Sequence, residues 1–435
     1  MMWALLLGRA VQVLGARQAT RALHDGILES DLGQRGTLST RWSADSMARR
    51  PDSGPVRVLF VSHSAELAGA EQSLLGWLKR LDRDRFEPTV LLPAHGPFED
   101  RAHALGVPTV RARYSWWIAN RNGPLPFLAR FWWSVLNMPA LIRAARRLDP
   151  DVIHTNSLVV PQGAVLAKIL GVPHIWHIRE VLPNSTLNTP LPRDLLLSLV
   201  LRLSSSVIAV SESSRSIFRG LHGSHVSVVY NGVEQSAEAR EDHDRVVRIA
   251  RGAIRLAVVG TMTPVKRTLD AIKAVAILRE YFPGAQLSVV GRGQPPYERT
   301  LRRYVVSHGL EGYVAFLGHR DDVSAILAGS DLLVMPAWPE AFGLVTIEAL
   351  SVGTPVIGAN TSGTAEILRH GGGVLVEPGR PDLIAEAVRV LLSAPERYFQ
   401  LRMEAQTAAR AFSIEREVTS IEEEILRTFG HGHAD

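Results

Sequence analysis

Two glutamates, Glu340 and Glu348, lie eight positions apart in the stretch PAWPEAFGLVTIEALSVGTP (336–355). The apolar run Leu332–Met335 before them reads as a strand, and helical periodicity begins near Val345. In open α/β sheets ligands collect beyond the carboxyl ends of the strands, so this loop is where ligand chemistry belongs. Phe342, Gly343 and Leu344 would set free backbone amides at a helix N-terminus, which suits a diphosphate. Carboxylates beside such an anion site need a hydroxyl-rich ligand. Glu348, in the first helical turn, is placed to accept from a ribose, and Glu340 lies closer to the cleft. A plainer reading is equally open: Glu340 solvated on its loop, and Glu348 a first-turn charge favoured by the helix dipole.

Other candidates are single residues at strand ends. DVIHTNS (151–157) and IWHIRE (175–180) place His154 and His177 at the carboxyl ends of two successive inner strands. Arg179 and Glu180 follow, positioned to contact a ligand in the cleft or to pair with each other. His431 and His433 form too short a tail to hold a metal.

The elements that must position these residues alternate. Apolar runs at 56–62, 89–92, 152–154, 174–178, 207–210 and 226–229 are separated by helical stretches near 71–80, 98–105, 127–148, 162–170, 193–203 and 212–220. Residues 235–253 are charged, show no strand pattern and read as a linker. The alternation then restarts, with strands at 256–259, 286–290, 314–317, 332–335, 355–357 and 374–376. Such a pattern implies parallel βαβ units covered on both faces. The expected architecture is α/β, with two doubly wound Rossmann-like domains, 55–234 and 254–411, facing a cleft. A C-terminal helix and tail follow over 412–435. Residues 1–54 mix Arg, Ser, Gly and Asp without periodicity and read as a disordered extension or a mis-assigned start.

Composition narrows the classes. The 435 residues suit two to three domains. The absence of cysteine excludes disulfide scaffolds, thiolate nucleophiles and Cys-ligated metals. No segment approaches the ~20 apolar residues of a membrane span, which points to a cytoplasmic protein. The net charge is +5, yet residues 101–148 alone hold eight Arg and no acid. One local basic segment argues against a nucleic-acid binder, whose footprint would be broader. The same segment holds Trp116, Trp117, Trp132 and Trp133.

The Glu340–Glu348 pair, with FG after the first Glu and EAL..G.PV after the second, resembles the donor-site signature of GT-B glycosyltransferases, in particular retaining family 4 (glycosyl transferases group 1). The resemblance spans essentially residues 55–429. GTMTPVK (260–266) resembles the strand-end loop that carries a diphosphate-binding Lys, and Gly291-Arg-Gly293 the second glycine turn. FLGHRDDV (316–323) resembles the segment bordering the nucleotide base, bringing in Gly318 and His319. SGTAE (362–366) and GGGVLVEPG (371–379) resemble the two following loops. In the first half, LAGAE (67–71) is similar to the glycine loop after the first strand, with Gly69 and Ala70 near the donor and Ala68 in place of a usual Gly.

This resemblance implies a set of roles. Lys266 would pair with the donor diphosphate, Glu340 would hold sugar hydroxyls, and His177 would approach the transferred sugar. Glu348 would bind ribose, and the amides of Phe342, Gly343 and Leu344 would bind phosphate or sugar. Gly260, Thr261 and Gly291 would complete the donor pocket. Many relatives carry Arg where this chain has Thr261, and Arg267 is the available substitute. The donor, a nucleotide sugar, is a substrate; no cofactor and no metal are expected. Asp82-Arg-Asp84 and Asp242-His-Asp244 match the metal motif of the other large glycosyltransferase architecture only in composition, since neither follows a strand.

The expected activity is transfer of a sugar from a nucleotide sugar to a hydroxyl acceptor, with retention, in cell-envelope glycolipid or polysaccharide synthesis. Two alternatives stand beside it: a nucleotide-sugar epimerase, and a non-catalytic GT-B binding protein. A dinucleotide oxidoreductase would show GxGxxG after the first strand, where SAELAGAE stands. The Arg/Trp segment over 111–147 suits either a helix packed on the sheet through its Trp residues or an anionic membrane surface on the inner face of the membrane. The second case would bring in a lipid-linked acceptor.

Overall fold

A computed structural model of the chain describes residues 54–120, 125–181, 187–188, 191–221, 226–235 and 243–431. The extension expected over 1–54 lies outside these, Gly54 excepted. The first half runs β1 (Val56–Ser62), α1 (Gly69–Arg80), β2 (Phe86–Leu92), α2 (Pro97–Ala104), β3 (Thr109–Arg111), β4 (Ala119–Asn120) and α3 (Leu125–Leu148). It continues through β5 (Val152–Asn156), α4 (Gln162–Leu170), β6 (His174–Ile178), β7 (Leu187–Asn188), α5 (Arg193–Arg202), β8 (Ser206–Ala209), α6 (Glu212–Arg215) and β9 (Val226–Val228). Seven strands form one parallel sheet in the order β3-β2-β1-β5-β6-β8-β9. Strands β4 and β7 pair separately and antiparallel.

The second half runs α7 (His243–Ala250), β10 (Arg255–Val259), α8 (Thr268–Leu278), β11 (Gln286–Val290), α9 (Pro295–Ser307), β12 (Val314–Gly318), α10 (Val323–Gly329) and β13 (Leu332–Met335). Then come α11 (Leu344–Ser351), β14 (Val356–Ala359), α12 (Ser362–Leu368), β15 (Gly373–Val376), α13 (Pro381–Leu392), α14 (Pro395–Ala409) and α15 (Ile414–His431). Its six strands are parallel in the order β12-β11-β10-β13-β14-β15. The two doubly wound Rossmann-like sheets expected from the alternation are therefore present. Each has helices on both faces, which is why the inner strands read as unbroken apolar runs.

Three departures from the expected pattern have physical causes. The stretch 212–220, expected as one helix, is the single turn α6, capped by Ser211 Oγ, followed by a 3₁₀ turn. Part of the stretch read as linker is helix α7, held by burial of its charges: Arg245 and Arg248 reach Asp331 at 3.3 and 2.7 Å. Asp331 is fully buried at the head of β13 and also accepts the Arg255 amide at 2.7 Å. Finally, α15 leaves the second domain and returns to the first. Ile414, Val418, Ile421 and Ile425 form one stripe, spaced four, three and four, in a cluster with Phe60, Trp77 and Ile175. Among the described residues no helix is long and apolar enough to cross a membrane.

Removing the Asp331 carboxylate leaves two part-buried or buried guanidinium groups without their anion. Asp331→Ala is expected to cost about 3–5 kcal/mol, read as a lower urea midpoint of unfolding than wild type.

Candidate active site

The site is assembled at the carboxyl edges of the two sheets, which face each other. Ser211, just past β8, donates from Oγ to the carbonyl of Ala341, just past β13, at 2.5 Å. Beside it Glu366 of α12 accepts the amides of Glu212 and Ser213 at 2.8 and 2.7 Å, and the Ser213 hydroxyl at 2.5 Å. These contacts set the two edges against one another.

On the second domain, three strand-end glycines lie side by side. The Gly260 amide donates to Val290 O at 2.9 Å, and the Gly291 amide to Gly318 O at 2.7 Å. Gly291 has φ +128°, and a Cβ there would stand 2.1 Å from Gly260 O, so no side chain fits. Thr261 is exposed, and the chain then makes one 3₁₀ turn, Pro264–Lys266. The Trp338 amide donates to Val265 O at 2.9 Å, which draws the loop after β13 onto the loop after β10. As a result Lys266 Nζ makes a direct ion pair with Glu340, whose carboxylate is nearly buried. A small hollow lined by Gly260, Lys266, Thr268, Pro336 and Ala337 opens beside them.

Gly343 follows with φ +101° and stands as the N-cap of α11, leaving the first amides of that helix without intrahelical partners. A Cβ on Gly343 would lie 3.1 Å from Thr346 Oγ1 and 3.6 Å from Thr364 Oγ1. Both hydroxyls are buried, and neither has a hydrogen-bond partner in the structure. The Glu340 carbonyl accepts the Gly363 amide at 3.0 Å, so the N-termini of α11 and α12 converge here. With α11 beginning at Leu344, Glu348 is its fifth residue and lies beyond the first turn expected for it. Burial raises its carboxyl to about 7.

The remaining expected residues are placed differently. Phe342 contributes only backbone to the site: its ring is buried against Tyr230 and Phe412 at 5.8 Å each. Arg267 has φ +52° and pairs with Asp270 at 2.6 Å, so the substitute cation is already engaged. His319 is exposed, 3.8 Å from Asp321. Gly69 and Ala70 open α1, whose Ala68 N-cap supplies no side-chain bond, so their amides stay available. His177 does not reach the Lys266–Glu340 pair. Its ring packs into the first domain, where it is fully buried and stacked on Trp77 at 5.2 Å. His154 is enclosed in the same cluster, 5.6 Å from Trp77. Desolvation lowers both imidazoles, His154 to about 3, which keeps them neutral.

Arg179 and Glu180 part company. Arg179 bonds Asn156, Asn231 and Ser73 at 2.5, 2.8 and 3.2 Å, and its guanidinium lies over the Trp77 ring. Glu180 accepts the amides of Leu158 and Arg179. Thr346, Thr364 and the cross-domain role of Glu366 were missed from sequence. The SGTAE and EAL motifs flag their neighbourhood, but only the fold shows what their side chains face.

Two facing Rossmann-like sheets, with a cationic lysine, two carboxylates and a free helix N-terminus at one edge, define a GT-B glycosyltransferase. The comparisons agree. Residues 239–411 match the family model of glycosyl transferases group 1, and residues 67–236 that of glycosyltransferase family 4. The chain is 30% identical over 287 residues to a glycogen synthase of Mycobacterium tuberculosis, covering 60% of this chain and 67% of that one. It is 29% identical to a D-inositol 3-phosphate glycosyltransferase of Rhodococcus erythropolis, covering 63% and 68%. Its fold is shared with Anabaena Alr3699/HepE, solved in complex with UDP and glucose (TM-score 0.70, 24% identity, 86% and 100% coverage). The chain belongs to the group 1, family 4 glycosyltransferases and is a nucleotide-sugar-dependent enzyme.

Proposed function

We propose that the enzyme moves a sugar, with retention and without a metal, from a nucleotide sugar to a hydroxyl of a lipid-linked or growing polysaccharide acceptor at an anionic membrane surface. The observation that carries the donor half is the convergence of Lys266 and Glu340 beside the α11 N-terminus. A diphosphate competing with Glu340 for Lys266 would free that carboxylate to accept from sugar hydroxyls. Lys266 and the α11 amides would then face the charge that grows on the departing nucleotide, the role a metal takes elsewhere. Glu348 would accept from ribose. Relatives act on diverse acceptors, among them a phosphatidylinositol dimannoside mannosyltransferase at 32% identity over 162 residues.

The membrane half rests on α3. Ser134, Leu141, Ile142 and Ala145 are buried, which fixes the inward face. Trp132 and Trp133 lie on the other side, 54% and 45% exposed, with Leu136 at 74%. The reading that puts these two Trp residues in the core is therefore corrected. Arg143, Arg146 and Arg147 are exposed farther along, and Arg113 lies over the Trp133 ring. Exposed indoles beside arginines suit the headgroup boundary of an anionic bilayer.

Melting the protein with UDP, GDP, ADP and their glucose or mannose conjugates tests the donor half. One nucleotide should raise the melting temperature, and transfer from its sugar conjugate should persist in EDTA. Lys266→Ala should lower turnover by about 10²–10³-fold. Near-wild-type transfer by that variant would remove Lys266 from the mechanism.

Glu348 makes the donor step pH-dependent. With its carboxyl at about 7 in the protein, binding to the carboxylate form releases a proton wherever the free enzyme is protonated. Nucleotide affinity should therefore rise from pH 6 to 8 and level off above, by up to about tenfold per unit below the pKa. Glu348→Gln should bind more weakly and flatten this dependence in isothermal titration.

Co-sedimentation with phosphatidylglycerol vesicles tests the membrane half. Binding should appear at low salt, weaken at 0.5 M NaCl as charges are screened, and drop at least fivefold in Trp132→Ala/Trp133→Ala. Equal binding to neutral phosphatidylcholine vesicles would contradict it.

A further inference from the structure

The first domain carries a second cluster at the cleft edge that the donor chemistry does not use. His63 is the first residue past β1, and its Nδ1 lies 3.1 Å from Glu71 of α1. Glu71 is fully buried, while the His63 side chain keeps 17% of its surface exposed. The loop from Ala112 to Ile118 is drawn across this edge and fastened on both sides. Tyr114 Oη donates to Ser62 O and Leu91 O at 2.5 and 2.9 Å. Trp117 donates from its amide to Val159 O at 3.0 Å and from Nε1 to Leu158 O at 2.8 Å, with its ring stacked on Trp176.

Between these anchors Trp116 remains outside the core, 37% exposed. Its Nε1 donates to His63 O at 2.7 Å, and the two rings stand 5.5 Å apart at 45°. A lone exposed Trp would need no explanation. Here the indole is held rigidly, and the imidazole beside it is backed by a buried carboxylate. An aromatic face next to a fixed polar group is the arrangement that binds a sugar ring: C–H groups meet the ring face and a hydroxyl meets the polar atom.

Position supports the same reading. In the sheet β1 lies three strands from β8, after which Ser211 touches the second domain. At about 4.8 Å per strand the offset is roughly 14 Å, so ligands can lie between the interdomain contact and Trp116.

The geometry points to an acceptor subsite on the first domain. Trp116 is the platform for an acceptor sugar ring, His63 the hydrogen-bond partner of one of its hydroxyls, and Glu71 the residue that positions His63. The subsite rests on the donor reading above. Burial and the charge of Arg179 hold His63 neutral, at about 4, and burial raises Glu71 to about 7. Arg179 and Glu180 are the other charges felt at Glu71, and the Asn156 carbonyl also faces His63. Ionisation of Glu71 thus changes the charge that stands 3.1 Å from His63 Nδ1.

The test uses the full chain labelled with 5-fluorotryptophan and saturated with the nucleotide that stabilises it. It is titrated with the methyl α-pyranosides of glucose, mannose, galactose and N-acetylglucosamine. The ¹⁹F signal lost in Trp116→Phe identifies that residue. At least one glycoside should move this signal while the signals of buried Trp77 and Trp176 stay fixed. Trp116→Ala and His63→Ala should each weaken that glycoside at least tenfold by saturation-transfer NMR, with the nucleotide-induced melting shift retained. Trp116→Tyr should recover part of the loss, and Glu71→Gln should flatten the pH dependence of glycoside binding around pH 7. If no glycoside moves the Trp116 signal, or the alanine variants bind like wild type, the subsite is wrong. Failure of every nucleotide to stabilise the protein would instead count against the donor reading.

Discussion

The structure depends on a place where the chain passes between its two domains twice. Residues 231–235 leave the first domain, and residues 409–414 return to it directly alongside. Val233 donates to Phe412 O at 3.0 Å, and Ile414 donates back to Val233 O at 3.1 Å. A Cβ on Gly232 would come within 2.4 Å of Ser413 O, so the crossings touch backbone to backbone. Glu417 clamps the junction by accepting the Gly232 amide at 2.6 Å and the Ser73 hydroxyl at 2.9 Å. Burial raises this carboxyl to about 7 while Arg179 opposes the rise. Because α15 then packs on the first domain, the C-terminus locks the two sheets edge to edge. The cleft follows from that lock.

On the proposed reading, the two sides of the cleft recognise ligands by different means. The donor side works mainly with backbone: glycine turns at 260, 291 and 318 and the amides ahead of α11 need small or absent side chains. Only Lys266, Glu340 and Glu348 add side-chain chemistry. The proposed acceptor side presents side chains, His63 just past β1 and Trp116 on a loop fastened at both ends. On the donor side the backbone constrains residue type tightly, since all three turns have positive φ and a Cβ on Gly291 would strike Gly260 O. Side-chain recognition leaves the type free to follow the ligand. One fold can thereby keep its donor chemistry while its acceptor varies.

The same distinction governs what the sequence revealed. Parallel strands buried on both faces appear as plain apolar runs, so both sheets were legible, whereas the three-residue β3 and two-residue β4 and β7 are too short to show a pattern. The donor motifs were legible through their resemblance to the family signature, since spacing alone left Glu340 and Glu348 equally open to a plainer reading. The Lys266–Glu340 contact was not, because it spans 74 positions and depends on one backbone bond from Trp338 to Val265. Charge patterns misled most at α7. Arg245 and Arg248 lie in the stretch read as a charged linker, yet their partner Asp331 lies more than 80 positions away. At His177 the strand end was visible from sequence, but the side to which its ring turns was set by packing around Trp77.

That packing gives the buried histidines a structural part in the cleft. His177 stacks on Trp77 and the Arg179 guanidinium lies over the same ring, with His154 edge-on. A second cation beside Arg179 would be costly in this dry pocket, and the charges that favour the buried guanidinium are those of Glu417, Glu71 and Glu180. Protonating either histidine would set a like charge against Arg179, and Arg179 also touches Asn231, the last residue before the tight crossing at Gly232. The aromatic cluster under the acceptor edge and the junction that holds the domains together are thus one connected unit.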